Sequence, residues 1–227
     1  MQNNIVIATT KSWNIVNAEA FVRLTQWSCT LVTEREALNK DLLEELSPRF
    51  VFFPHWSWVI PSSIYSSFEC VLFHMTDLPY GRGGSPLQNL ILEGNITTKI
   101  SALRVTEGID EGPIYCKRTL SLDGSAEAIY KRASDIVFTD MIPYILENAP
   151  APTGQTGKPH IFSRRTPEQS RIPDSLDPKG LYDYIRMLDA PTYPNAFIMA
   201  DDYTIELTDA SIEDGVVAAR AIIKVAT

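Results

Sequence analysis

Long hydrophobic runs are absent from this chain of 227 residues: no apolar stretch reaches the roughly 18 residues that a membrane-crossing helix needs. The start, Met1-Gln2-Asn3-Asn4, is too polar and leads too soon into the strand-like Ile5-Val6-Ile7-Ala8 to read as a secretory leader, so a cytoplasmic protein is expected. Cysteine is scarce. Cys29, Cys70 and Cys116 are odd in number and widely spaced within apolar stretches, which suits buried thiols in a reducing compartment and offers no metal-ligand spacing. Basic charge is in deficit, with a net charge of −8, which argues against nucleic acid as a partner because phosphate binding needs clustered Lys and Arg. A nucleotide-sized anion held by a few arginines and backbone amides is still compatible with that charge. No glycine fingerprint follows the first strand; Ala8-Thr9-Thr10-Lys11-Ser12 stands there, which excludes an ordinary dinucleotide site. Internal repeats and low-complexity segments are also missing.

What is present is an alternation of short apolar strands and amphipathic helices. Strands read over 4–9, 28–32, 50–53 and 70–73. Helices read over 15–24, with Asn14 as cap, and over 34–46, with Thr33 as cap and acidic residues in its first turn. The pattern predicts an α/β fold, a Rossmann-like doubly wound and mainly parallel sheet. A long helix is expected over 125–146, kinked by Pro143. Residues 148–158 are rich in Pro, Gly and Thr and read as a connector. A short helix over 177–188 and alternating strands from Ala196 onward, with a turn at Asp201-Asp202, make a small C-terminal α+β appendix. The implied division is a core over 1–150, a connector over 151–165 and a subdomain over 166–227.

The chemistry concentrates between Cys70 and Pro86. An apolar strand ends in His74, and a loop with Pro79, Gly81, Arg82, Gly83 and Gly84 leads to Ser85-Pro86, a helix start. Strand, polar loop and helix N-terminus form the part of an open α/β sheet where ligands sit. A second loop, Thr106-Glu107-Gly108-Ile109-Asp110-Glu111-Gly112-Pro113, joins two alternating strands and carries Asp110. A third, Pro54-His55-Trp56-Ser57-Trp58-Val59-Ile60-Pro61, follows the third strand. Taken alone, it is either a hydrophobic plug or a set of apolar walls for a flat heterocycle.

Together these loops resemble the formyltransferases that use N10-formyltetrahydrofolate, whose core reads Asn-Ile-His-x-Ser-x-Leu-Pro-x-x-Arg-Gly-x-x-Pro followed by Asp-x-Gly-x-Ile. His74, Thr76 (for Ser), Leu78, Pro79, Arg82, Gly83, Pro86, Asp110, Gly112 and Ile114 fall in register. Ser163-Arg164-Arg165 resembles the family's hinge, and Pro191-Thr192-Tyr193-Pro194-Asn195-Ala196-Phe197 its Pro-x-Tyr-Pro-x-Ala-Phe turn. The resemblance implies that N10-formyltetrahydrofolate is the co-substrate and that His74 and Asp110 are catalytic. It further implies that His55, Trp56, Ser57, Trp58, Ile60, Glu107, Gly108 and Ile109 hold the folate. Thr76, Tyr80, Gly81, Arg82, Arg186 and Tyr193 are expected at the amine substrate, with loop-holding as the other reading of Arg82 and packing of the C-terminal appendix as that of Arg186 and Tyr193; no metal is expected. One departure stands out: the family's asparagine two residues before the histidine is Leu72. Either another donor serves the formyl oxygen, or the activity is lost or altered.

The phrase from Phe73 to Asn89 looks most like the sugar-nucleotide N-formyltransferases of surface-glycan biosynthesis, of the pseudaminic acid pathway type. The substrate so implied is a UDP-4-amino-4,6-dideoxy-N-acetyl-altrosamine, formylated on its 4-amino group. Acidic charge and a short C-terminal tail argue against methionyl-tRNA, and glycinamide ribonucleotide is the other amine of the family. A catalytically inactive folate-binding relative is a further alternative. The expected partners are thus a nucleotide sugar and folate, with no nucleic acid and no membrane. Members of the sugar branch are often dimers, and a homodimer is the implied assembly.

Overall fold

The computed structural model describes residues 3–225. In chain order the elements are β1 (Asn4–Ala8), α1 (Ser12–Leu24), β2 (Ser28–Val32), α2 (Lys40–Leu46), β3 (Phe50–Pro54), α3 (Ser62–Tyr65), β4 (Cys70–His74), the two-residue β5 (Arg82–Gly83), α4 (Pro86–Leu92), β6 (Thr97–Arg104) and β7 (Ile114–Ser121). There follow α5 (Ala126–Ile136), α6 (Ile142–Asn148), the two-residue β8 (Ile161–Phe162), α7 (Pro178–Arg186), β9 (Ala196–Ala200), β10 (Tyr203–Glu213) and β11 (Val216–Val225).

The chain forms two compact units. One takes the chain up to Arg82 with Lys99–Leu120 and Lys131–Ile161; the other takes Gly83–Thr98, Ser121–Tyr130 and the chain from Phe162 onward. The units interleave along the sequence, whereas sequence patterning reads a core over 1–150, a connector over 151–165 and a subdomain over 166–227. The reason is that α4 and the stretch around Leu122 pack with the C-terminal segment: Gln88 Nε2 donates to Met187 O at 3.0 Å and Arg186 Nη1 to Leu122 O at 2.6 Å.

The first unit holds a six-stranded sheet in the order β2-β1-β3-β4-β6-β7. β1 pairs in parallel with β2 and β3, and β3 with β4; β6 joins β4 antiparallel. The fold is therefore the mainly parallel α/β sheet expected from the alternation of elements. Its central strands are apolar on both faces, as in a sheet covered on both sides: Ile5, Val6, Ile7, Val51, Phe52 and Phe53 are all fully or almost fully buried. On one face Val6, Ala8, Val51, Phe53 and Cys70 form a cluster with Leu43, Ile60 and Ile64, against which Trp56, Leu72 and Val105 pack.

Several local expectations shift for identifiable reasons. Asn14 does not cap α1, which begins at Ser12. It lies within the first turn, buried, and donates to Thr9 Oγ1 and to Pro54 O, both at 3.1 Å, tying β1 to the end of β3. Asn39, rather than Thr33, caps α2, accepting from Leu42 N at 2.9 Å. Ser85 adopts a left-handed conformation and gives α4 no side-chain cap; its Oγ accepts from Arg165 N at 3.0 Å instead. The long helix expected over 125–146 is α5 and α6 joined by a π-helical turn at Val137–Met141, immediately before Pro143, whose missing N–H the wider turn accommodates.

In the second unit β9, β10 and β11 form an antiparallel sheet, turning at Asp201-Asp202 and at Asp214-Gly215. α7, capped by Asp177 through Gly180 N at 2.6 Å, packs on β10 and buries Tyr184 and Ile185.

Candidate active site

The site grows from the carboxyl edge of two neighbouring parallel strands. β3 and β4 run side by side, with Pro54 opposite Phe73, so the loop after Pro54 and the loop after His74 leave the sheet at the same edge. The period of a strand puts Cys70, Leu72 and His74 on one face. His74 is buried at 8% exposure and Asp110 at 9%. His74 Nδ1 lies 3.5 Å from Asp110 Oδ2, and Nε2 lies 2.7 Å from the carbonyl oxygen of Gly81. A carbonyl only accepts, so the proton of this contact sits on Nε2. A proton between Nδ1 and Asp110 then makes an ion pair. Asp110 itself has φ +54, a conformation uncommon for a residue with a side chain, held within the loop between β6 and β7.

The histidine loop folds over the pair. Thr76, fully buried, donates from Oγ1 to Gly81 O at 3.3 Å, and Ser101 Oγ donates to Thr76 O at 2.7 Å. Gly81, at φ +75, turns its carbonyl inward to meet both His74 and Thr76. Tyr80 stacks on His160 with ring centroids 4.9 Å apart. Arg82 donates to Glu111 Oε1 at 2.9 Å and, through Nε and Nη2, to Gln155 Oε1 at 3.1 and 2.8 Å. At the loop's outer side Asp77 pairs with Lys99 at 2.9 Å and with Lys117. Partial burial raises the Asp77 carboxyl, but the lysine hydrogen bonds prevail and hold it below the usual range.

The aromatic loop divides into a buried and an exposed half. Trp56 packs into the core cluster and Ile60 is buried there, so this half is a plug. Ser57 and Val59 are exposed; Trp58, partly exposed, stands edge-on to Trp56 at 5.0 Å with Arg35 over its face. His55, at φ +52, lies against Trp13 with centroids 5.6 Å apart. Burial and the nearby Lys11 push its imidazole down to about 3, so it is neutral at physiological pH, and burial also lowers the Lys11 amine. Of the aspartate loop, Glu107 and Ile109 are exposed and Gly108 is half-buried.

Arg186 and Tyr193 belong to the second unit, and both are committed there. Arg186 is buried and donates to Leu122 O, Gly124 O and Asp183 Oδ1, joining α7 to the turn before α5. Tyr193 stacks on Tyr130 at 5.4 Å. These contacts pack this unit, which is the structural one of the two roles the sequence offered for them. Leu72, in place of the family's asparagine, packs against the apolar cluster that includes Phe53 and Ile60. Gln155, in the segment read only as a connector, was missed; its contacts emerge only from the fold. The three cysteines are unpaired, with burial raising the Cys29 and Cys70 thiols to about 12 and Cys116 to about 11. Among the described residues no cluster of His, Cys, Asp or Glu is placed to hold a metal ion, and no helix is long and apolar enough to cross a membrane.

The mainly parallel sheet, with a buried His–Asp pair beside the carboxyl end of β4 and the aromatic loop after β3, has the formyltransferase fold. A solved methionyl-tRNA formyltransferase from Clostridium thermocellum is 50% identical to this chain with a TM-score of 0.96, over 98% of this chain and 99% of that one. The chain belongs to the formyltransferase family.

Residues 167–224 match the family model of the methionyl-tRNA formyltransferase C-terminal domain. Curated methionyl-tRNA formyltransferases match at lower identity. That of Wolbachia pipientis is 22% identical over 191 residues, which is 82% of this chain and 62% of that protein. The chain spans only 36% of the length of the one from Nitratiruptor. A 4-N formyltransferase from Francisella tularensis shares the fold at 15% identity and TM-score 0.68, covering 98% of each chain. A HypX structure from Aquifex aeolicus in complex with tetrahydrofolic acid does so at 15% identity and TM-score 0.76, over 92% of this chain and 38% of that one.

These similarities overturn the sugar-nucleotide reading of the sequence. The UDP-amino sugar substrate, the pseudaminic acid pathway and surface-glycan biosynthesis rested on the phrase around His74. That phrase covers residues 73–89 alone, whereas the 50% identity to the methionyl-tRNA formyltransferase runs over 98% of the chain. The expectation of no nucleic-acid partner is corrected with it: net charge is a sum over the whole surface, whereas phosphate binding depends on where the cations stand.

Proposed function

We propose that the protein transfers the formyl group of N10-formyltetrahydrofolate to the α-amino group of methionyl-tRNA. The observation that carries this is the end-to-end similarity, at 50% identity, to the Clostridium thermocellum methionyl-tRNA formyltransferase. The match of residues 167–224 to the C-terminal domain of that class supports it, and the structure of HypX with tetrahydrofolic acid supports folate as donor. Localisation in the cytoplasm follows from the same reading, since the substrates are found there.

In this reading the aromatic loop and the aspartate loop receive the folate, and His74 and Asp110 face the formyl carbon. The amine nitrogen forms a bond to that carbon, a tetrahedral oxyanion develops, and the bond from carbon to N10 breaks. The amine's proton passes to the pair and N10 gains one. The Nε2 proton of His74, which donates to Gly81 O, is the donor His74 can turn to the oxyanion; Leu72 has none to offer. Asp110 orients the ring through Nδ1. A positioned acid–base group of this kind contributes about 10²–10⁴-fold.

The test is formylation of methionyl-tRNA by the purified protein with N10-formyltetrahydrofolate, alongside His74→Ala. Formylmethionyl-tRNA from the wild type and at least about 10²-fold less from the variant supports the reading. Failure of the wild type to formylate methionyl-tRNA, with folate bound, would refute it.

A further inference from the structure

The segment after α6 places one side-chain amide between the two catalytic loops. Gln155 Nε2 donates to Asp110 O at 2.7 Å and to Gly112 O at 2.9 Å. Its Oε1 accepts from Arg82 Nε at 3.1 Å and from Arg82 Nη2 at 2.8 Å. The backbone of the segment is fixed beside β7 by a reciprocal pair, Ile114 N to Thr153 O at 2.7 Å and Thr153 N to Ile114 O at 2.9 Å. Gln155 is thus held from its own side while it grips both loops.

The two grips bear on opposite ends of the histidine. Arg82 follows Gly81, whose carbonyl accepts from His74 Nε2. Asp110, whose own carbonyl Gln155 holds, faces His74 Nδ1. The left-handed backbone of Asp110 calls for such an outside restraint. The chemistry of the residue is specific to the task. A carboxamide has two donors for the two carbonyls and an acceptor for the guanidinium; glutamate lacks the donors and lysine the acceptor.

We propose that Gln155 is a positioning residue for formyl transfer, setting the His74–Asp110 distance by clamping the aspartate loop to the histidine loop. The proposal rests on the reading of His74 and Asp110 as the catalytic pair. Misplacing a reacting group by about 1 Å costs on the order of 10²-fold in rate.

Gln155→Met keeps the length and removes every hydrogen bond. Gln155→Glu keeps the acceptor for Arg82 and cannot donate to Asp110 O or Gly112 O. Each is made alone and in an Asp110→Asn background, and kcat, KM for N10-formyltetrahydrofolate and the melting temperature are measured. Both single variants are expected to lower kcat by on the order of 10²-fold with KM changed less than about threefold. In the Asp110→Asn background the same substitutions are expected to cost almost nothing more, because both act through one group.

Unchanged kcat, an equal loss in both backgrounds, or wild-type activity in Gln155→Glu overturns the proposal. Histidine side-chain NMR gives a readout that does not need turnover. The His74 ring signals are expected to move in Gln155→Met in the direction they move in Asp110→Asn, and signals that stay in place overturn the proposal. A wild type that transfers no formyl group while the His74 signals respond as expected refutes the proposed function and leaves the clamp standing.

Discussion

His74 Nδ1 and Asp110 Oδ2 approach to 3.5 Å inside the protein, although His74 ends β4 and Asp110 lies in the loop after β6. The contact is long for a hydrogen bond, and a carboxylate and an imidazole face each other across it with little water around them. Replacing the carboxylate removes its charge and leaves the shape. Asp110→Asn is expected to lower kcat for formyl transfer by roughly 10²–10⁴-fold while the protein still binds folate. Steady-state kinetics and a folate-binding isotherm on the same preparation check both halves; a kcat within a few fold of wild type would remove Asp110 from the mechanism.

The aromatic loop gives a binding prediction. Trp58 stands at the surface with its ring against Trp56, so truncating it removes apolar wall without opening the core. Trp58→Ala is expected to weaken tetrahydrofolate binding by about 2- to 10-fold, the scale of one aromatic contact. Calorimetric titration measures it, and equal affinity would return the loop to a purely structural role.

Gly112 is required by space. A Cβ added there runs into the Arg104 carbonyl oxygen, a backbone atom that cannot swing aside. Gly112→Ala must push β6 and the aspartate loop apart, and a loss of about 1–3 kcal/mol in unfolding free energy is expected from overpacking. Denaturant unfolding measures it. Gly94→Ala, which meets nothing within 4 Å, controls for the addition of a methyl group, with only the cost of its left-handed backbone.

His55 should govern part of the acid sensitivity of the fold. Its imidazole is held at about 3 in the folded protein, against an ordinary value of 6.5, by burial and then by Lys11. Between those values the unfolded chain binds a proton that the folded one refuses. The contribution is therefore fully present above pH 6.5 and lost as pH falls toward 3, at no more than about 1.4 kcal/mol per pH unit. His55→Asn, which tolerates the left-handed backbone, is expected to flatten the fall in melting temperature over that window. An unchanged slope would show that other groups control it.

The sequence by itself determined the sheet, the positions of the histidine and aspartate loops and the formyltransferase family. Each of these is written locally: apolar runs of strand length, Gly and Pro at fixed offsets, a histidine at one strand end and an aspartate between two glycines. Tertiary structure decided what no local pattern carries. Arg186 and Tyr193 read in sequence either as substrate contacts or as packing, and the fold gives both packing partners within the second unit, Leu122, Gly124 and Tyr130, from distant stretches. Gln155 reads as one polar residue in a loose segment. It becomes a clamp only because the fold brings Asp110 and Arg82, 45 and 73 residues away, to its two ends. A hydrogen bond has no sequence signature when its partners are so far apart: the histidine loop leaves β4 at His74, the aspartate loop leaves the antiparallel β6 at Arg104 opposite Val71, and only the folded chain brings both to the segment after α6.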